Sequence, residues 1–343
     1  MASQDLGSGR LAEPHALLEN GMEPPAHRLE ESGAMTGTMG VPLVCPACGM
    51  GLPEAGSWRD APVACPGCKA SYASVNGILR FVPHDQYSRS FSFQWARHAR
   101  TQMDDATRNG TEQTLRRMQF TPELVAGRRV LDAGCGVGRF SDVLARWGAE
   151  VVAVDLSASV EVARANLRDR TGVTIAQADI LRLPFPPATF DVIVSWGVLH
   201  HTPDCAAAFR ALCRLLRPGG TIAIWVYGKT RSVRRRVMDA YRHATVHLPH
   251  RLLYGLCFVA VPLYYVYKVP LLGNLLRVLI PVSRQRDARE RVLETFDYYS
   301  PRYQSKHTFP EVHGWFVEAG LTDIRIFDPP VRIVGRQPGG TRG

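Results

Sequence analysis

The chain has 343 residues, 45% of them hydrophobic, and a formal net charge of +10 at neutral pH. That length and apolar content provide for a sizeable core, so one main domain with an appendage is expected. Eight cysteines, four in two CxxC pairs and four scattered through apolar or helical contexts, exclude a disulfide scaffold and fit a reducing compartment.

The first 40 residues mix Gly, Pro, Ser and Glu, with too few large apolar side chains to offset the entropy of ordering. They read as a disordered leader, and the fold begins near Val41. No basic region followed by an apolar core and a small-residue cleavage site is present, so a secretory signal is not expected. The expected localisation is cytoplasmic, with a peripheral position at the inner face of a membrane kept open by the insert described below.

Residues 41–83 contain "CPACG" at Cys45 and Cys48 and "CPGCK" at Cys65 and Cys68, the pattern C-x2-C-x16-C-x2-C. Each pair offers two thiolates from one tight turn, and two facing turns complete a closed tetrahedral site for structural Zn2+. A redox pair is the alternative, and the weaker one, since two matched pairs at this spacing rarely serve anything but a metal. The stretch "KASYASVNGILRFVP" then alternates apolar and polar residues like the last strand of a ribbon. The segment resembles the rubredoxin-like zinc ribbons of nucleic-acid enzymes, which keeps an RNA role open.

Residues 84–120 form a linker in which "YSRSFSFQWARHARTQMDD" is aromatic and amphipathic. Residues 121–228 carry the central pattern. Arg129 to Asp132 reads as a strand, Gly134, Gly136 and Gly138 make a turn, and Phe140, Val143, Leu144 and Trp147 follow at helical spacing. A second strand, "AEVVAVD", ends in Asp155, with a helix expected from Ser157 as N-cap to about Arg170. A dinucleotide fingerprint would want a third glycine where Arg139 stands. A smaller ligand with a ribose fits better, because an acid ending the second strand can accept from two sugar hydroxyls. "VTIAQADILRLPF" supplies a third strand with Asp179 past its end, "FDVIVSWGVLHHTPD" a fourth entering a histidine loop, and "ALCRLLRPGGTIAIWVY" a helix, a Pro-Gly-Gly turn and a fifth strand.

This succession resembles the class I S-adenosylmethionine-dependent methyltransferases, in the branch that includes quinone-biosynthesis and small-molecule enzymes. The resemblance covers residues 121–228 and implies an α/β fold: a Rossmann-like seven-stranded sheet with helices on both faces. It implies S-adenosyl-L-methionine as cofactor, with the loop Gly134–Gly138 around its methionine part, Asp155 at the ribose, Asp179 and Ile180 at the adenine, and Asp132 orienting the loop and facing the amino group. Cys135, Leu156, Ser195 and Trp196 complete the cofactor-binding set expected on the same grounds. An element such as 87–105 often folds over the cofactor in related enzymes, and Phe93, Gln94 and Trp95 are the residues expected to do so here.

Methyl transfer from a sulfonium is an in-line displacement that needs positioning and exclusion of water. An oxygen or nitrogen acceptor can also need a base, and His200 and His201 are the candidates. The competing reading is that "LHH" only caps and packs its loop.

From Lys229 to Lys306 there are 15 Lys and Arg against 5 Asp and Glu, an excess equal to the net charge of the whole chain. Within residues 229–300 lie two apolar runs, 252–267 and "VPLLGNLLRVLIPV", neither long enough for a dependable transmembrane helix. A helical lid, a segment lying in a membrane interface and an RNA-binding surface are the three readings, in falling order. Residues 301–343 return to the core: Thr308 can cap a helix ending near Gly320, and "LTDIRIF" and "PVRIVGR" supply a final antiparallel strand pair. Tyr299 and Arg302 are candidates for the acceptor pocket.

The expected activity is methyl transfer to O, N or C of a small or lipid-like acceptor. An RNA-base methyltransferase is the alternative, weakened because "SWGVLH" stands where an NPPY-type loop would be. A non-catalytic zinc-ribbon adaptor with a ligand-binding fold is the second alternative.

Overall fold

The computed structural model describes residues 40–53, 61–82, 87–107, 110–327 and 331–340. The expected disordered leader, save Gly40, lies outside these residues.

Among the described residues ten strands form the sheet: β1 (Val63–Ala64), β2 (Ser71–Val75), β3 (Ile78–Arg80), β4 (Arg129–Ala133), β5 (Glu150–Asp155), β6 (Val173–Gln177), β7 (Phe190–Trp196), β8 (Leu216–Trp225), β9 (Thr322–Phe327) and β10 (Arg332–Arg336). Their order is β1-β2-β3-β6-β5-β4-β7-β8-β10-β9. The stretch from β6 to β9 is the seven-stranded sheet expected from the sequence, parallel from β6 to β8 and closed by antiparallel β10 and β9. Strand order reverses beside β4, so the crevice for a ligand opens at the carboxyl ends of β4, β5 and β7.

The ribbon does not stand apart as a bead on a linker. Its strand β3 pairs in parallel with β6, Leu79 opposite Ala176, and covers what would otherwise be an open sheet edge. Two further bonds seat it: Val44 N–H donates to the Pro184 carbonyl at 3.0 Å, and Arg129 donates to the Gly40 carbonyl at 2.7 Å.

Alternation along the strands sends neighbours to opposite faces. Val130, Val151 and Val192 meet Phe140, Val143 and Leu144 of α5 (Arg139–Arg146) and Ala163 and Leu167 of α6 (Ser159–Leu167). Leu131, Val152 and Ile193 face the other way, onto Phe209 of α7 (Cys205–Cys213) and Phe316 of α13 (Phe309–Glu318). The ribbon's Leu43, Tyr72 and Phe81 join this second layer.

Two helix starts show how local chemistry sets boundaries. Thr308 caps α13 in a full capping box with Glu311. Helix α6 begins one residue later than the sequence suggests, with Ala158 at the cap; the Ser157 hydroxyl donates to Asp155 and accepts from the Ser159 N–H at 3.3 Å.

Before the core lie α1 (Arg89–Arg97), α2 (Asp104–Thr107), α3 (Gly110–Arg117) and α4 (Pro122–Val125). The basic insert folds as α8 (Val233–Thr245), α9 (His250–Cys257), α10 (Ala260–Val266), α11 (Leu272–Leu279) and α12 (Ala288–Tyr299). Its long apolar run is broken into α9 and α10, with Pro262 in the first turn of α10, where a missing N–H is tolerated. Among the described residues no helix is long and apolar enough to cross a membrane. Met238, Leu253, Cys257, Val292, Phe296 and Tyr299 form a separate core inside the insert, with Phe93 of α1 packed against it.

Candidate active site

A cavity of about 460 Å³ opens at the carboxyl ends of the central strands. Its volume lies in the range usual for sites that enclose small molecules. Gly134, Cys135 and Gly136 of the glycine loop line one part of it, together with Asp155, Leu156, Ile180 and Trp196. Seven of the eleven expected cofactor contacts therefore share one space.

The other four stand behind its wall. The Asp132 carboxylate is buried and accepts from the Ser141 hydroxyl at 2.6 Å, and burial, opposed by that bond, raises its pKa to about 6. Asp132 thus holds the loop from beneath and does not face the cavity. Ser195 donates to the Ala133 carbonyl at 2.9 Å, tying β7 to the end of β4. Asp179 caps the turn Ile180–Arg182 through the Leu181 N–H at 3.0 Å, and the Tyr87 hydroxyl approaches it at 3.5 Å. Gly138 serves packing: with φ of +85° it starts α5, and a Cβ there would come within 2.7 Å of Leu167 Cδ1.

Asp155 has two tasks. Its carboxylate accepts from Gly136 N–H at 2.9 Å, from Ser157 N–H at 2.8 Å and from the Ser157 hydroxyl at 2.7 Å. A carboxylate offers about four acceptor positions, so the loop takes most of them and leaves room for a ligand hydroxyl. Burial raises the Asp155 pKa, with the Ser157 and Gly136 bonds opposing.

Helix α1 closes the cavity from the N-terminal side. Gln94 and Trp95 line it as expected, and so does Phe91, whose ring centroid lies 4.9 Å from that of His201. Phe93, the third residue expected there, points away into Tyr254 and Phe296 of the insert. Gln94 is 3% exposed and its Oε1 has no partner, as is true of Trp225 Nε1. Unmatched buried polar atoms on a cavity wall are what a bound polar molecule would satisfy.

The far part of the cavity is lined by His201, Thr202, Tyr227 and, from α12, Glu290, Glu294 and Asp297. His201 Nδ1 faces the Tyr303 carbonyl at 2.9 Å, which assigns the proton to Nδ1 and leaves Nε2 as the basic nitrogen. Burial lowers its pKa, with Asp297 and the Tyr303 carbonyl pulling the other way, so the ring is neutral at pH 7. His200 does not reach the cavity: it is fully buried, stacks on Tyr227 at 3.9 Å, and neither ring nitrogen has a partner. Burial holds it well below the usual histidine range, and it serves as packing for Tyr227. The Tyr227 hydroxyl donates to Asp297 at 2.6 Å.

Tyr299 and Arg302 do not line the cavity; Tyr299 donates to the Pro281 carbonyl inside the insert and Arg302 is exposed. Sequence reading missed Arg139, Trp225, Tyr227 and the acids of α12, all of which line the cavity. The acids had a signal: Glu290, Glu294 and Asp297 are three of the five acids in 229–306 and recur at i, i+4 and i+7, one helical face.

The four ribbon sulfurs lie within 4.8 Å of one another, Cys45 and Cys68 at 3.6 Å and Cys48 and Cys65 at 3.5 Å. Tetrahedral zinc–thiolate bonds imply sulfur separations of about 3.8 Å, so the donor set fits zinc. Burial opposes ionisation of Cys45, but the Tyr72 hydroxyl and the N–H groups of Ala47 and Cys48 outweigh it and bring its pKa to about 6.

Residues 131–224 match the family model described as a methyltransferase domain. Sheet order and glycine loop agree with this match, so the central part of the chain is a methyltransferase domain on a Rossmann-like sheet. Among curated proteins, the ubiquinone biosynthesis O-methyltransferase of Methylocella silvestris is 39% identical over 109 residues, 31% of this chain and 42% of that protein. Its counterpart from Xanthomonas campestris is 38% identical over 119 residues, 33% of this chain and 50% of that protein. The chain thus spans half or less of the length of these relatives. A solved S-adenosylmethionine-dependent methyltransferase from Mesorhizobium loti is 20% identical, with a TM-score of 0.40 over 64% of this chain and 94% of that one.

Proposed function

We propose that the chain methylates a small or lipid-like acceptor, with a hydroxyl as the group that receives the methyl and a structural Zn2+ held by Cys45, Cys48, Cys65 and Cys68. The observation that carries this reading is the continuity of one cavity from the glycine loop and Asp155 to His201, Tyr227 and Asp297.

Gly134, Gly136, Asp155, Leu156 and Ile180 would hold S-adenosylmethionine, with Gln94 and Trp95 closing over it. When bound, that cofactor supplies a methyl group on a sulfonium whose departure as a neutral thioether makes the transfer favourable. The protein's share is then positioning, dryness and proton handling. Phe91, Trp196, Trp225 and Leu293 give the cavity apolar walls that exclude water. His201 Nε2 accepts the hydroxyl proton, while the Tyr303 carbonyl fixes the ring's tautomer. Asp297, paired with Tyr227, stabilises the imidazolium that results.

The acids of α12 also narrow the acceptor. Arg139 is the one cation on the cavity wall among the described residues, set against Asp155, Glu290, Glu294 and Asp297. A phosphate-rich acceptor such as RNA would meet repulsion there, whereas a neutral phenol or alcohol would not. The names of the ubiquinone O-methyltransferase relatives support the same choice.

Transfer of labelled methyl from S-adenosylmethionine to a panel of apolar phenols and alcohols tests this reading. Product is expected with at least one of them, and His201→Gln should lower kcat about 100-fold while leaving cofactor affinity in place. No product across the panel, or a His201→Gln variant as active as the parent, would contradict it.

A further inference from the structure

We propose that the outer side of the insert is a docking surface for an anionic lipid bilayer, entered by the leucines of α9 and α11. Of the seventeen exposed large apolar residues among the described ones, eleven lie between Leu252 and Ile280. They follow helical spacing. On α9 and its end, Leu252, Leu256 and Val259 recur at i, i+4 and i+7, while Leu253 and Cys257 turn into the insert's own core. On α11, Leu272, Leu275 and Leu279 recur at i, i+3 and i+7 and are likewise exposed. A helix on a water-facing surface keeps one apolar stripe inward; these two carry a second one outward.

The tip between α10 and α11 adds an independent sign. Leu271 is 85% exposed and has φ of +61°, the left-handed region that a leucine adopts only at a cost. Strain spent on presenting an apolar side chain to solvent points to a use for that side chain.

Charge selects the occupant. Residues 240–286 contain no Asp or Glu, and among them Arg251, Lys268, Arg284 and Arg286 are exposed. Lys268 Nζ rests over the rings of Tyr264 and Tyr265 at 4.5 and 5.3 Å, an aromatic and cationic pairing suited to the headgroup layer. Cations without acids attract anionic headgroups, and leucines between them enter the acyl boundary. A nucleic acid would use the cations and leave the leucines in water.

The surface is joined to the cavity by one helix. Helix α12 turns Glu290, Glu294 and Asp297 to the cavity and Val292, Phe296 and Tyr299 to the core of the insert. Gln285, exposed and on the cavity lining, stands just ahead of that helix. A bilayer on the outer side would therefore sit one helical layer from the acceptor wall, where an apolar acceptor dissolved in lipid could enter. That use rests on the proposed methyl transfer; the docking itself stands on the surface alone.

Cosedimentation of the full chain with vesicles tests it, one set of phosphatidylcholine alone and one with added phosphatidylglycerol. Binding is expected to the anionic set, to fall with rising salt, and to drop about ten-fold or more in a Leu271→Asp, Leu275→Asp variant whose thermal unfolding matches the parent. Absence of binding to anionic vesicles at low salt would overturn the proposal. So would binding unchanged in the leucine variant, which would leave plain charge attraction. A stable dimer in solution that dissociates in the same variant would overturn it too, by giving the leucines to a second copy of the chain. Titration with S-adenosylmethionine in the absence of lipid reads the methyltransferase assignment separately, so either can fail alone.

Discussion

His98, just past the end of α1, has both ring nitrogens engaged: Nδ1 lies 3.3 Å from Thr101 Oγ1 and Nε2 2.9 Å from the Tyr254 hydroxyl on α9. It is the joint between the helix over the cavity and the insert. Burial first, then Arg289 and Arg97, push its pKa down to about 4, with Asp287 opposing. In the unfolded chain the ring takes up its proton near pH 6.5, well before the folded chain does. Stability held above pH 6.5 is therefore lost as pH falls toward 4, by about 2 kcal/mol after allowance for solvent screening. The melting temperature should fall between pH 7 and 4.5, and His98→Phe should flatten that fall; parallel curves for the two proteins would count against the assignment. At this scale the sequence was informative where a residue's partner is near in the chain or set by strand alternation. Asp155 and Gly136 were legible for that reason, whereas Tyr227 and Asp297, 70 residues apart, meet only through the insert's packing.

Among elements, the cysteine ribbon and the strands beside the glycine loop share one sheet and one core. Strand β3 pairs with β6, Val44 is bonded to Pro184, and Leu43, Cys45 and Phe81 share a core with Ile180. Ile180 lines the cavity. Closing four thiolates on a metal would stabilise the folded ribbon and so keep the edge of β6 covered. We predict one zinc per chain, and that Cys45→Ser with Cys65→Ser both lowers the melting temperature and weakens S-adenosylmethionine binding. A metal-free variant with parental melting and affinity would refute the coupling. The CxxC pairs were legible because their chemistry is local. Docking of β3 onto β6 was not, because parallel pairing across about a hundred residues leaves no periodic trace beyond the alternation of each strand.

At the level of the molecule, strands alternating with helices pointed to a parallel βαβ sheet, with Asp132, Asp155 and Asp179 at or just past the ends of three strands, whereas the seven-stranded closure came from the family resemblance. The insert was harder to read. Its apolar runs left a lid core and an exposed apolar face both open, and the structure divides them, with Leu253 and Cys257 turned inward and Leu252 and Leu256 outward. The acids of α12, missed in the sequence, carried a signal that hydropathy did not: three of them on one helical face within a basic segment form the wall that meets the cavity. The cavity beside the glycine loop is the proposed site of S-adenosylmethionine. Calorimetric titration of the zinc-loaded protein with S-adenosylmethionine and S-adenosylhomocysteine tests it most directly. Saturable micromolar binding of one ligand per chain is predicted, weakened about ten-fold or more by Asp155→Ala, which removes a charged acceptor and releases the Gly136 N–H. Absence of heat with either ligand, from protein shown to be folded, would contradict the claim.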